Sequence, residues 1–200
     1  MMIADLEELN STIKSEADGI LYENGLMHVL NKFGKALVSG SYFLELMTWR
    51  DLDIYLANDE MDVNSFFELG KELALCIKPS KMNYRNELIG HTEHLPLGYY
   101  WGCYTFIYSN DWKVDVWVIS SEDFARRELE IHELKSKIDV MQRKAILKLK
   151  NRLYSHPLYR KKFFSVDIYN AVIEDSIYNE DDFTNWLLHN FSEPQAQQGY

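Results

Sequence analysis

The 200-residue chain has few cysteines and no long apolar run, repeat or low-complexity tract. Cys76 and Cys103 lie far apart in no metal-ligand spacing, so we expect buried free thiols in a reducing compartment. No apolar stretch approaches the ~18 residues of a membrane helix. The N-terminal stretch carries acids early and lacks the apolar segment of a secretory signal. These absences predict a cytoplasmic protein with no membrane partner.

Basic residues are also scarce, with 21 Lys and Arg against 31 Asp and Glu and a formal net charge of −10. An acidic protein repels the phosphate backbone, so the charge makes nucleic acid an unlikely partner. The same charge suits a cationic partner, or magnesium ions that bring an anionic substrate with them. Hydrophobic residues make up 46% of the chain and aromatic residues 14%, which predicts a sizeable, bulky core.

The chain changes character near residue 120, and we predict an α+β fold. Before that point, periodicity predicts helices and strands of a mixed sheet; after it, strong helix formers predict helices near 165–177 and 181–191 and a polar, frayed tail. The predicted strands are 35–39, 50–57, 98–108 and 112–120, with a moderate signal at 83–91, and the predicted helices of this half are 4–33 (broken at Gly19 and Gly25), 42–48 and 62–78. We therefore expect a domain over 1–120 and a helical region over 121–200.

One apolar stripe in the helical half steps by three and four residues. It predicts a single helix face, made of Ile131, Leu134, Ile138, Met141 and Ala145.

Two aspartates stand at the start of the strand predicted over 50–57. Residues i and i+2 of a strand point the same way, so Asp51 and Asp53 should project side by side. Asp115 is the only acid in the apolar alternation "KVDVWV", and the three carboxylates converge if the two strands are neighbours. Such hard oxygen ligands suit magnesium. Exposed strand acids are also common without a metal, and this alternative stays open.

A glycine turn precedes the first two aspartates. Gly40 and Ser41 would let backbone N–H groups and a hydroxyl approach a phosphate closely.

Together these motifs resemble the nucleotidyltransferase superfamily typified by DNA polymerase beta. The elements are "VSGS", a nine-residue spacer, "DLDIYL" and the later "KVDVWV". Within that superfamily the chain looks more like the small bacterial enzymes that adenylylate antibiotics, and it is shorter than a polymerase. The resemblance covers roughly residues 20–120. It implies a nucleotidyltransferase-like mixed sheet flanked by helices, with a C-terminal helical bundle.

The resemblance also implies roles for individual residues. Gly40 and Ser41 would bind a nucleoside triphosphate such as ATP. Asp51, Asp53 and Asp115 would be catalytic and would hold Mg2+, and Asp115 would also act as general base toward the acceptor. The acceptor would be a small hydroxyl-bearing molecule, held by the helical region, with an antibiotic as one candidate. Oligomeric state and the choice of triphosphate are left open.

Other interpretations remain. The site could be decayed, leaving a nucleotide-binding or antitoxin-like module, and modification of an RNA terminus is disfavoured by charge. His91 and His94 lack two further zinc ligands, so we expect an ordinary loop there. The basic segment 143–152 predicts a solvated helix face, with docking of triphosphate oxygens by Lys148 or Arg152 as the alternative.

Overall fold

The computed structural model describes residues 2–191. Contacts divide the chain into two compact units, Glu8–Lys135 and Met1–Glu7 together with Ser136–Tyr200. The polar tail 192–200, predicted to fray, lies outside the described residues. Within them, no helix has the length and apolar character needed to cross a membrane.

The first unit contains a five-stranded mixed sheet in the order β1-β2-β5-β4-β3. The strands are β1 (Lys35–Val38), β2 (Asp51–Ala57), β3 (Lys81–Asn86), β4 (Tyr99–Ile107) and β5 (Asn110–Ile119). β2 and β5 are parallel neighbours, and every other pair in this sheet is antiparallel. β2 and β5 carry the aspartates singled out in the sequence, so this pairing decides whether the aspartates meet.

Alternation along β2 fixes which side of the sheet is core. Leu52, Ile54 and Leu56 are fully buried, and they share the core with the valines of β5. Burying each of these side chains is worth about 2 kcal/mol. The residues between them, including Asp51 and Asp53, therefore project from the opposite face of the sheet.

Helices make up most of the rest of the described chain. They are α1 (Ile3–Asp18), α2 (Leu26–Leu30), α3 (Gly40–Phe43), α4 (Val63–Ile77), α5 (Glu87–Gly90), α6 (Ser121–Lys137), α7 (Val140–Leu153), α8 (Ser165–Ile173) and α9 (Glu180–Phe191). The helix predicted over 62–78 is confirmed, and the Asp62 side chain caps it by accepting from the Ser65 N–H at 2.7 Å. The predicted break near Gly19 and Gly25 is also confirmed, because a π-helical turn and a left-handed Gly25 separate the first two helices.

Two local predictions in the first unit were too long. The helix predicted over 42–48 ends at Phe43, and Glu45 takes a left-handed conformation with φ of 58°. A side chain distant in sequence stabilises this turn, because Asn10 Oδ1 accepts from the Met47 N–H at 2.7 Å. The strand signal at 83–91 stops at Asn86, whose side chain caps α5.

The single helix face predicted from residue 131 to 145 is wrong. α6 ends at Lys137, and Asp139 begins α7 with a capping box shared with Gln142. Two reciprocal side-chain bonds to orphan backbone groups favour a new helix start over continuation. As a result Met141 is 69% exposed, whereas Ala145 is buried.

The second unit packs α7, α8 and α9 against one another. The basic segment 143–152, predicted to form a solvated helix face, has both buried and exposed basic side chains. Lys150 is fully buried, with its ammonium 3.1 Å from the Tyr169 hydroxyl, while Arg152 pairs with Glu180 at 3.0 Å on the surface.

Both cysteines are free thiols, as predicted, but only one of the two is buried. Cys103 is buried, whereas Cys76 is half-buried and donates to the Asn24 carbonyl.

Candidate active site

Three carboxylates meet on the face of the sheet opposite the core. The parallel register places Asp53 beside Asp115, and Asp51 lies two residues earlier on the same face of β2. One oxygen from each carboxylate lies within 4.8 Å of the others. The predicted convergence is confirmed. Among residues 2–191, no other cluster of three or more His, Cys, Asp or Glu side chains could hold a metal ion.

A lysine lies inside this carboxylate triad. Lys113, on β5, is opposite Asp51 in the register, and its ammonium forms an ion pair with Asp115 Oδ2. Burial tends to lower the pKa of Lys113, but the carboxylates of Asp51, Asp115 and Asp53 outweigh it and hold that pKa above its ordinary value. The ammonium therefore stays charged and offsets part of the repulsion among the three acids.

The second oxygen of Asp115 is held by a tyrosine. The Tyr100 hydroxyl donates to Asp115 Oδ1 at 2.8 Å. β4 and β5 form an antiparallel hairpin in which Gly102 is directly opposite Asp115, and a Cβ on Gly102 would lie closer than 3.0 Å to the Tyr100 hydroxyl. Burial, followed by the charge of Asp115, raises the pKa of Tyr100, so its hydroxyl keeps the proton that it donates. Glycine at 102 thus leaves room for this hydrogen bond.

The glycine turn lies against the triad. Gly40 has φ of +56°, and a Cβ on it would lie closer than 3.0 Å to Asp53 Oδ2. The backbone before the turn is also hydrogen-bonded to β2, since the Ser39 N–H donates to the Asp53 carbonyl at 2.8 Å. Ser41 follows and is 9% exposed. Gly40 therefore lies next to Asp53, as the sequence predicted for this turn.

Helix α1 braces the segment between the turn and β2. Arg50 donates two hydrogen bonds to the Glu16 carboxylate, at 2.6 and 2.7 Å, and both side chains are largely buried. The Tyr42 hydroxyl donates to Asp18 at 2.6 Å. The Arg50 carbonyl also accepts from the Lys113 N–H at 3.1 Å. These contacts fix the backbone next to Asp51.

A second cation approaches the same face from α6. The Arg127 guanidinium stacks on the Tyr55 ring at 4.7 Å and donates to its hydroxyl at 3.3 Å. Tyr55 follows Asp53 on the same face of β2. Burial raises the pKa of Tyr55 and Arg127 opposes this, while the charges of Asp53 and Asp115 raise it further. Arg127 and two of the triad carboxylates thus act on one side chain.

The donor set fits a divalent cation. Three carboxylates supply hard oxygen ligands from the fixed backbones of adjacent strands, which suits Mg2+ or Mn2+. Gly40 leaves beside Asp53 a space that any larger residue would fill. His91 and His94 do not join the triad; they lie on the exposed loop after α5, where His94 faces Glu93.

Sequence reasoning missed Lys113, Tyr100 and Arg127. Strand alternation already puts Lys113 on the same side as Asp115, so that signal was present. Tyr100 needed the hairpin register that sets Gly102 opposite Asp115. No pattern in the sequence connects Arg127 to β2.

Comparison with solved structures identifies the fold. The chain matches a structure of the GLD-2/RNP-8 complex with a TM-score of 0.53 and 12% identity, over 96% of this chain and 64% of that one. It matches the polymerase core of TRAMP, an RNA surveillance complex, with a TM-score of 0.50 and 14% identity, over 89% of this chain and 50% of that one. The chain has the polymerase beta-like nucleotidyltransferase fold, as predicted.

The chain spans only half to two thirds of the length of these two neighbours. No protein-family model and no curated protein sequence matches it.

Proposed function

We propose that this protein transfers a nucleoside monophosphate from a nucleoside triphosphate to a hydroxyl-bearing acceptor, with Mg2+ held by Asp51, Asp53 and Asp115. One observation carries the proposal: three carboxylates from adjacent strands lie within 4.8 Å of one another, beside a glycine turn, in a nucleotidyltransferase fold. The sequence has no motif that selects a base, so ATP, GTP, CTP and UTP are all candidate donors.

The residues take the following roles in this proposal. When bound, magnesium would neutralise the triphosphate and favour attack at its α-phosphorus. Gly40 and Ser41 would bind the triphosphate through backbone N–H groups and the hydroxyl. Asp115 would accept the proton of the attacking hydroxyl, so it must exchange the hydrogen bonds that Tyr100 and Lys113 now donate to it.

We also propose that residues 1–120 form the catalytic domain and that the helical region 121–200 binds the acceptor. The second unit has a cavity of about 300 Å³ whose lining includes Lys148, Arg152 and Asp181. Asp181 would attract a cationic acceptor such as an aminoglycoside, whereas Lys148 and Arg152 would suit phosphate oxygens. Asp181→Asn should raise the KM for a cationic acceptor and leave the KM for the triphosphate unchanged, and the opposite pattern would favour phosphate docking.

An RNA terminus is a second candidate acceptor. One neighbour is the polymerase core of an RNA surveillance complex, so the prediction that nucleic acid is unlikely has no support from the comparison. A 3′ terminus offers the same attacking hydroxyl as a small molecule does.

The alternative is a decayed site that binds a nucleotide or a protein partner in an antitoxin-like manner. Pyrophosphate release distinguishes these functions. Each of the four common triphosphates would be incubated with Mg2+ and either an antibiotic panel or a short RNA, with Asp53→Asn as the inactive control. Release that depends on metal, acceptor and Asp53 supports the enzyme and names its acceptor class. Triphosphate binding by calorimetry without any release supports the decayed module.

A further inference from the structure

The carboxylate triad already contains a cation supplied by the chain itself. The Lys113 ammonium pairs with Asp115 Oδ2, and Tyr100 donates to Asp115 Oδ1. The side chains of Lys113 and Asp115 are only 25% and 13% exposed, so this pair is shielded from solvent more than a surface pair would be. Both oxygens of the third carboxylate therefore have donors within the protein.

A divalent cation bound by all three aspartates needs an oxygen of Asp115. An ammonium and a divalent cation at one carboxylate repel each other. We therefore expect the metal to compete with the Lys113 ammonium for Asp115, where Lys113 pairs with Oδ2. Lysine is a compact charge on a flexible four-carbon stem, and it can move away without changing the strand. The backbone N–H of Lys113 stays bonded to the Arg50 carbonyl, so the strand pairing does not depend on the side chain.

We propose that Lys113 is the tethered counter-cation of the triad, that a divalent cation binds by displacing it from Asp115, and that the displaced ammonium then pairs with the triphosphate that accompanies the metal. This inference rests on the proposed metal site. It makes metal and triphosphate binding mutually favourable: metal alone must break an ion pair, whereas metal with triphosphate gives the ammonium a new anionic partner.

Binding of Mn2+ by calorimetry tests this, first alone and then with a non-hydrolysable triphosphate analogue. Lys113→Met removes the competing cation, so we expect Mn2+ alone to bind about tenfold more tightly than to the wild type. The gain in Mn2+ affinity caused by the analogue should shrink. With EDTA, Lys113→Met should melt at a lower temperature than the wild type, and Mn2+ should restore it.

Two variants control for charge and folding. Lys35→Met removes the same formal charge from an exposed ion pair between β1 and Glu128, and should leave Mn2+ affinity unchanged. Lys113→Arg keeps the charge and should bind Mn2+ no more tightly than the wild type, which tests the inference even if Lys113→Met fails to fold.

The outcomes separate this inference from the proposed function. If the wild type binds Mn2+ and Lys113→Met binds it no more tightly, Lys113 is an ordinary structural ion pair and the inference is wrong. If neither protein binds Mn2+, even with the analogue, the metal site itself is wrong. Weak binding by the wild type and tight binding by Lys113→Met supports the counter-cation role.

Discussion

Gly40→Ala should separate the backbone role of the glycine turn from its role beside the triad. The residue has φ of +56°, a left-handed conformation that costs alanine about 1–2 kcal/mol. The new Cβ would also lie closer than 3.0 Å to Asp53 Oδ2, so the carboxylate must rotate away. The perturbation thus has a stability component and a site component.

The site component can be estimated from Coulomb's law. At the dielectric constant of water, a carboxylate 4 Å from a divalent cation contributes about 2 kcal/mol to binding. If the rotation removes this contact completely, Mn2+ binding weakens about 30-fold. The free energy of unfolding should fall by about 1–2 kcal/mol from the backbone alone.

Gly25→Ala is the matched control, because Gly25 has φ of +82° and the described chain leaves open space within 4 Å of the position that an alanine methyl group would take. Both variants would be compared by urea unfolding and by Mn2+ calorimetry. We expect similar losses of stability, with weakened Mn2+ binding in Gly40→Ala alone. Wild-type Mn2+ affinity in Gly40→Ala would refute the argument that this glycine makes room for Asp53.

Three further predictions concern single side chains. Asp53→Asn should abolish transfer and leave the metal-free melting temperature unchanged or higher, because it removes one of three clustered negative charges; a drop of many degrees with activity retained would contradict this. Glu16→Gln should lower the free energy of unfolding by about 2 kcal/mol, because it weakens the paired hydrogen bonds from Arg50, and denaturant melts would measure the loss. Burial raises the pKa of Cys103 to about 12, so at pH 8 only about one thiol in ten thousand is ionised. Iodoacetamide should therefore label Cys103 in urea but not in the native protein, and mass spectrometry would measure the labelling.

The convergence of the triad could be predicted from the sequence because it depends on a short-range rule. A period of two residues puts Asp51 and Asp53 on one face of β2 whatever the rest of the chain does. The isolation of Asp115 among valines indicated a second strand with a buried face. The one further requirement was that β2 and β5 be neighbours, which the sequence left as a condition and the structure meets.

Element ends and the partners of the triad could not be predicted in the same way. The helix expected over 42–48 is cut short where Asn10, more than thirty residues away in sequence, binds the Met47 N–H. The contact of Tyr100 with Asp115 depends on Gly102 being directly opposite in the hairpin. Arg127 reaches Tyr55 from another element, α6. The contacts of Asn10 and Arg127 span long separations in sequence, and the contact of Tyr100 needs the register of the β4–β5 pair.

Net charge alone does not decide whether an anionic ligand can bind, because recognition depends on local charge. The chain carries a formal charge of −10, yet beside the triad lie Lys113 and Arg127, two cations against three carboxylates. Glu130 also acts on Tyr55, so these six groups sum to −2 and one divalent cation brings them to neutral. An acidic protein can therefore bind an anionic ligand here, whether a free triphosphate or an RNA terminus, provided that the metal is present. Binding of a labelled short RNA or a triphosphate analogue should accordingly rise with Mn2+ and be lost in EDTA, and binding that is equally tight in EDTA would show that charge elsewhere on the protein holds the ligand.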